Sequence, residues 1–130
     1  MATSRVIPFA SGSKVIPSGR SGNHTDDSNG GGGGGIFNDG QLTLDQSTLS
    51  GNHTDGSADD AIYNGGPVTI DHSILSGNHA DEGGGIFNQG ALTLDFSVLF
   101  WNLARIGADL DNAGGTATLD HSIVGLCADG

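Results

Sequence analysis

The chain has 130 residues, 24 of them glycine, and only 35% of its residues are hydrophobic. This length predicts one domain, and the composition predicts a thin core shared among many short turns rather than a globule built around large side chains. The formal net charge of −11 argues against nucleic acid and anionic membranes as partners, because both require clustered Lys and Arg. No stretch approaches the ~20 consecutive apolar residues of a membrane span.

Residues 1–20 differ in charge from the rest of the chain. They contain Arg5, Lys14 and Arg20 and no acid, whereas the remaining residues contain fifteen acids and the single basic residue Arg105. We therefore divide the chain into a basic N-terminal arm or cap, residues 1–20, and an acidic body, residues 21–130. The arm lacks a continuous apolar segment and is not a convincing secretory signal. Cys127 is the only cysteine, which excludes a disulfide framework within the chain.

The body consists of repeated copies of one pattern. Three segments read "IFNDGQLTLDQSTLSGN", "IYNGGPVTIDHSILSGN" and "IFNQGALTLDFSVLFWN", and a fourth reads "LDNAGGTATLDHSIVG". They begin at Ile36, Ile62, Ile86 and Leu110, which are 26, 24 and 24 residues apart. The six glycines at 30–35 precede the first copy and are interpreted as an enlarged turn. A phosphate cradle would require a helix after the glycines, and a strand pattern follows them instead.

Each copy has apolar residues at alternate positions, which is the period of a strand. In "QLTLD", for example, Leu42 and Leu44 share one face and Thr43 lies on the other. Two shorter apolar segments accompany this strand in every copy. Three short strands within one copy cannot pair with one another, but each can pair with its counterpart in the next copy, ~4.8 Å away. The expected fold is all-β, a right-handed parallel β-helix (β-solenoid) of about four rungs with 24–26 residues per rung.

Two columns of asparagine recur at corners of this predicted coil. Amide side chains in register can hydrogen-bond from rung to rung, as they do in other stacked β-structures. We therefore interpret both columns as structural ladders. Their members are Asn38, Asn64, Asn88 and Asn112 in one column, and Asn23, Asn52, Asn78 and Asn102 in the other.

The motif "GGGIF", followed by "LTLDxS" and "LSGN", resembles the repeats of right-handed parallel β-helix proteins. It is most similar to the "GGA[ILV]" and "FxxN" repeats of polymorphic outer-membrane proteins and other bacterial surface proteins. Gly83 to Ile86 match the first motif, and Phe100 to Asn102 overlap the second, with Leu99 in place of its Phe. The resemblance implies the wider pectate-lyase-like architecture and a location outside the cell or at its surface. That architecture hosts lyases, hydrolases, adhesins and passengers, so the resemblance implies a fold rather than one activity.

An aspartate follows the long strand in each of four copies, at Asp45, Asp71, Asp95 and Asp120. In one interpretation each Asp caps its own turn by accepting a hydrogen bond from the backbone near the serine two residues later. In the other, neighbouring carboxylates hold a cation, and Ca²⁺ is the ion that clustered oxygens suit. No other cofactor is expected. Further acids, including Asp81 and Glu82, lie in the variable loops and could bind Ca²⁺ loosely.

Three histidines, His24, His53 and His79, hold the same position in three consecutive copies. Adjacent rungs would place them ~5 Å apart, a spacing that Zn²⁺ or Ni²⁺ could bridge. The alternative is an exposed polar column at a corner. His72 and His121 share a different position, but Phe96 occupies the rung between them, so these two are too far apart to share a metal.

The distribution of charged residues argues against an enzyme, because catalysis requires a convergent site. The β-helix lyases that this fold resembles use an Arg or Lys base, yet the acidic body has only Arg105. Its acids also recur in monotonous columns rather than in one unique cluster. We expect a non-enzymatic structural or adhesive surface module that associates with itself end to end, into fibres. Surface polysaccharide is the further partner that we expect.

Two alternatives stay open. One is a carbohydrate-active or carbohydrate-binding β-helix similar to the polysaccharide lyases. The other is an ice-binding solenoid, because a threonine column runs along one face. Ice-binding faces usually carry two such ranks, and the second rank is missing because the flanking column is Gln41, Pro67, Ala91 and Thr116. The column consists of Thr43, Thr69, Thr93 and Thr118.

Overall fold

The structure, a computed structural model, describes part of the chain. It gives the backbone of residues 13–15, 19–21, 24–25 and 54, and residues 35–53 and 62–125 in full. Asn23, the glycines at 30–34 and Cys127 lie outside the described residues. Within the described part all regular structure is β-strand, and every strand pair is parallel.

The strands form three stacked sheets and one short pair. The first sheet contains β1 (Ser13–Val15), β5 (Leu42–Asp45), β9 (Pro67–Asp71), β12 (Ala91–Asp95) and β15 (Thr116–Asp120). The second contains β2 (Gly19–Ser21), β6 (Thr48–Ser50), β10 (Ile74–Ser76), β13 (Val98–Phe100) and β16 (Ile123–Val124). The third contains β4 (Ile36–Asn38), β8 (Ile62–Asn64), β11 (Ile86–Asn88) and β14 (Leu110–Asp111). The short pair is β3 (His24–Thr25) with β7 (His53–Thr54).

Every strand pairs with the strand at the same place in the neighbouring copy. Ile36, Ile62, Ile86 and Leu110 stand in register in the third sheet, so the chain completes three turns between the first and the last of them. The predicted all-β parallel solenoid is therefore confirmed. Hydrogen bonds between equivalent Asn or Ser residues of neighbouring turns join positions 26, 24 and 25 residues apart, which is the length of one turn.

Aliphatic side chains fill the lumen in columns that run through the stack. Leu44, Ile70 and Leu94 are all 0% exposed and follow one another in register. Each such side chain contributes about 1.5–3 kcal/mol through burial. The inward and outward faces that the period-two pattern predicted are confirmed, since Thr69 and Thr93 lie exposed between these positions. The other lumen columns are Leu42, Val68 and Leu92; Leu49, Leu75 and Leu99; and Ile36, Ile62 and Ile86.

Both asparagine ladders are confirmed where the structure describes them. In one, the Nδ2 of each Asn donates to the Oδ1 of the next at 2.7 Å, from Asn38 through Asn64 and Asn88 to Asn112. In the other, Asn52 donates to Asn78 at 2.9 Å, and Asn78 donates to Asn102 at 2.8 Å. Because Asn64 and Asn88 are 0% exposed, these bonds satisfy amides that water does not reach. Asn38 is also 0% exposed and donates to Asn64, but no described residue donates to its Oδ1.

Serine, not aspartate, stabilises the corner between the first and second sheets. The Ser73 hydroxyl donates to the Asp71 carbonyl at 2.7 Å, and it accepts the Ser47 amide at 3.0 Å. The same pair of bonds recurs at Ser97, whose hydroxyl donates to the Asp95 carbonyl and accepts the amide of Ser73. The prediction that the Asp side chain caps this turn is therefore wrong at Asp71 and Asp95, because a serine hydroxyl of the next turn accepts the amide that each cap would have used.

The first turn extends two of the sheets into the basic arm. Ser13–Val15 pair with Leu42–Leu44, and Gly19–Ser21 pair with Thr48–Ser50. The register places position 20 opposite Leu49, in a lumen column, and Lys14 opposite the outward Thr43. The boundary at residue 20 stays a prediction, although the described part of the arm continues the stack.

Candidate functional site

The predicted Asp column forms at the end of the first sheet. Asp45, Asp71, Asp95 and Asp120 are in register from turn to turn. Two of these carboxylates bind a histidine of their own turn: Asp71 contacts His72 Nδ1 at 2.5 Å, and Asp120 contacts His121 Nδ1 at 2.8 Å. Asp95 differs, because its Oδ1 is shielded from solvent and no described residue donates a hydrogen bond to it.

Two of the four predicted aspartates come together with a histidine that was not predicted as a ligand. Potential ligand atoms of Asp95, Asp120 and His121 lie within 4.8 Å of one another. Two carboxylates and one imidazole resemble Zn²⁺ ligands more than an all-oxygen Ca²⁺ site. Cation binding by this column stays a prediction. The sequence signal for His121 is its position directly after the column Asp, which it shares with His72.

The structure shows the predicted histidine column for two of its three members. His53 and His79 face each other across a β-bridge, with ring centroids 4.6 Å apart, close to the predicted spacing. Leu103 takes the next position in the column and ends it. Only the backbone of His24 is described, and it pairs with His53. Metal binding by these histidines is also still a prediction.

Two columns of stacked rings run along the outside of the coil. Phe37, Tyr63 and Phe87 stack at 4.8 and 5.8 Å with nearly parallel planes. At the serine corner, Phe96 lies between His72 and His121 at 5.1 and 4.6 Å. Stacking along the column turns each ring face toward the next ring. The ring faces between neighbours are therefore not open to a sugar.

The corner after the second sheet departs from the repeat in the third copy, which begins at Ile86. Gly51 and Gly77 adopt a left-handed conformation there, and Trp101 adopts the same conformation with φ 56°. A bulky residue at positive φ is strained by roughly 1–2 kcal/mol. The Trp101 side chain is also 84% exposed. Its neighbours replace polar residues of the repeat, since Phe100 pairs with Ser76 and Leu103 with His79.

A cavity of about 410 Å³ opens beside Trp101. Phe100, Leu103, Asp109 and Gly125 are among the residues that line it. Its lining is mostly apolar, and Asp109 is its one charged residue. We call this cavity the tail groove, because it belongs to the last turn that the structure describes.

Asp109 ends the second asparagine ladder. Its Oδ1 accepts the Asn102 amide at 3.0 Å and the Asn102 Nδ2 at 2.7 Å, the same two bonds that Asn102 provides for Asn78. The residue is 2% exposed, and no described residue donates a hydrogen bond to its Oδ2. Sequence reasoning missed Asp109, because it lies seven residues after Asn102 rather than one repeat later.

The lumen is uncovered at the last described turn. Leu119 continues the column of Leu94 and Ile70, yet it is 45% exposed, whereas both of those are 0% exposed. Among the described residues, β14, β15 and β16 each end their sheet with one unpaired edge. This end therefore presents apolar lumen side chains together with open backbone donors and acceptors.

Comparisons with protein-family models, with curated proteins and with solved structures find no match for the chain. The resemblance to polymorphic outer-membrane proteins stays a prediction. No helix long and apolar enough to span a bilayer occurs in the part of the chain that the structure describes.

Proposed function

We propose that the chain is a structural β-solenoid module that associates with further copies of itself end to end. The observation that carries this proposal is the exposed lumen at Leu119, together with the unpaired edges of β14, β15 and β16. A second copy stacked on this end would pair the open edges and cover the apolar column. Such an interface is heterologous and does not close, so it builds a fibre.

The charges support the same arrangement. The arm is basic and the body is strongly acidic. We call the end with the arm the head and the end with β14, β15 and β16 the tail. The head of one copy placed on the tail of another therefore brings opposite charges together. Side-by-side contact would bring two acidic bodies together instead. We place this module outside the cell or at its surface, in a structural or adhesive role, on the basis of its resemblance to surface β-helix proteins.

Other described features favour a non-enzymatic role. Arg105, the only basic residue after position 20, donates to Asp81 through Nε and Nη2 at 3.2 and 3.1 Å and is thus engaged in an ion pair. The column beside Thr69 and Thr93 consists of Pro67 and Ala91 at those rungs, which disfavours a two-rank ice-binding face.

The test compares the unmodified chain with Leu119→Lys. We expect the average mass in sedimentation velocity to rise with concentration for the unmodified chain. Lysine at position 119 would place a charge in the interface and weaken association by about tenfold or more. Thr93→Lys is the matched control, because it introduces the same residue on an exposed outward position and leaves the tail intact. Equal association of the two variants would contradict the proposal.

A further inference from the structure

The tail groove combines three features that each cost stability in an isolated molecule. Trp101 takes a strained backbone conformation and exposes most of its indole to water. Asp109 holds a carboxylate that is 2% exposed, and its only described hydrogen-bond donors are the two neutral amide groups of Asn102. A carboxylate with so little contact with solvent gains from pairing with a cation. An aromatic wall beside a buried carboxylate is an environment that favours a cation, through both charge pairing and cation–π attraction.

The register of the solenoid indicates which cation would reach this groove. Position 20 stands in the lumen column of Leu49, Leu75, Leu99 and Val124. In a continued stack, position 20 of a second copy would therefore follow Val124, one strand spacing of ~4.8 Å away. Gly125 comes directly after Val124, and a Cβ on it would lie 2.6 Å from Asp109 Oδ2. The carboxylate therefore lies at Gly125, one position along the strand from Val124, on which position 20 of the next copy would stack.

We infer that the tail groove, with Asp109 and Trp101, receives the positive charge of Arg20 from a second copy and so fixes a head-to-tail order. This inference rests on the proposed end-to-end association and names the residues that give it polarity. Arg20 of one copy and Asp109 of the other would form an ion pair across the junction. The same pair opposes a tail-to-tail contact, because that contact would bring two Asp109 carboxylates together.

Two charge reversals in the first turn test the inference. Arg20→Glu places a carboxylate against Asp109, and we expect the dissociation constant of self-association to rise by about tenfold or more. Lys14→Glu is the matched control, because it makes the same charge change at a position in register with the outward Thr43. We expect a much smaller effect from it. Equal effects of the two variants would show long-range charge alone and overturn the inference.

A mixing experiment tests the polarity with a variant at the other end. Asp109→Asn keeps the Oδ1 acceptor of the ladder, as Asn102 does one turn earlier, but removes the charge. We expect Asp109→Asn and Arg20→Glu each to stay largely monomeric. In the mixture, Asp109→Asn supplies an intact Arg20 end and Arg20→Glu supplies an intact tail groove. One molecule of each should therefore form a dimer, and nothing longer should form. Circular dichroism of each variant checks that the solenoid is folded.

The outcomes separate this inference from the proposed function. If the unmodified chain is monomeric at every concentration, the proposed function fails, and the inference fails with it. If the unmodified chain associates but the mixture of folded variants forms no dimers, the inference alone is overturned. Dimers from the mixture, with Lys14→Glu close to the unmodified chain, would establish both the groove and its occupant.

Discussion

Trp101 occupies a backbone conformation that the two preceding turns give to glycine. Replacing it with glycine should relieve the strain and leave the thermal stability of the monomer unchanged or slightly higher, since the indole is 84% exposed. The same change removes a wall of the tail groove. We therefore expect Trp101→Gly to weaken self-association while the melting temperature of dilute protein does not fall.

A fall in melting temperature for Trp101→Gly would instead indicate that the indole stabilises the single molecule. Gly77→Trp is the complementary variant, because it introduces the same strain one turn earlier, away from the groove. We expect this variant to be less stable, with self-association unchanged.

Ile70 lies at the centre of the lumen and is 0% exposed. We expect Ile70→Asp to lower the free energy of unfolding by several kcal/mol, roughly 3–5, because it buries a charge with no partner. Thr69→Asp is the control on the exposed outward face and should cost well under about 1 kcal/mol. Chemical denaturation measures both, and a similar loss in the two variants would mean that the strand faces are assigned incorrectly.

Arg105 lowers the pKa of Asp81 below its ordinary value of 3.8, chiefly by donating hydrogen bonds to that carboxylate. Because the pKa is lowered in the folded state, the pair stabilises the protein above pH 3.8 and this contribution is lost as the pH falls through the lowered pKa. Both groups lie at the surface, so solvent screening keeps the contribution small. We expect Arg105→Gln to return the Asp81 midpoint toward 3.8 in an NMR titration of the side-chain carboxyl. An unchanged Asp81 midpoint would contradict the ion pair between Arg105 and Asp81.

At the scale of whole elements, each asparagine ladder works because an amide both donates and accepts. Asn64 accepts from Asn38 and donates to Asn88, each at 2.7 Å. A carboxylate can only accept, so it suits the end of a ladder, as at Asp109, but not its middle.

We therefore expect Asn64→Asp to destabilise the solenoid by about 3 kcal/mol at pH 7, since Asn64 is 0% exposed. Part of the loss should be recovered below about pH 4, where the protonated acid regains a donor. Asn112→Asp is the control, because it lies at the exposed end of the same ladder and should cost much less. Equal, pH-independent losses at both positions would contradict the ladder mechanism.

The repeats in the sequence predicted those parts of the structure that recur in every turn. The lumen residues, the Asn ladders and the outward Thr positions follow from a period of two within a copy and from alignment between copies. Features set by a loop path or by a local choice of partner did not follow. The Ser73 hydroxyl takes the amide assigned to an Asp cap, and Asp109 enters a ladder from outside the repeat. The sequence analysis also missed the strain at Trp101, although alignment of the copies places this residue at the position of Gly77, where a glycine conformation is expected.

At the scale of the whole molecule, the two ends of the stack carry different residues. The described tail has exposed Leu119, the buried Asp109 and the strained Trp101. In the first turn the backbone of position 20 stands in register with Leu49, in an arm without acids. If copies stack end to end as we propose, these differences give the stack a direction along one axis.

Small-angle X-ray scattering of the unmodified chain across a concentration series tests this central claim most directly. We expect the maximum dimension and the mass to grow in steps of the 13.0 kDa chain while the cross-sectional radius of gyration stays constant. That combination is the signature of end-to-end stacking. A mass that stays at 13.0 kDa at the highest concentration, or a cross-section that grows with the mass, would contradict it.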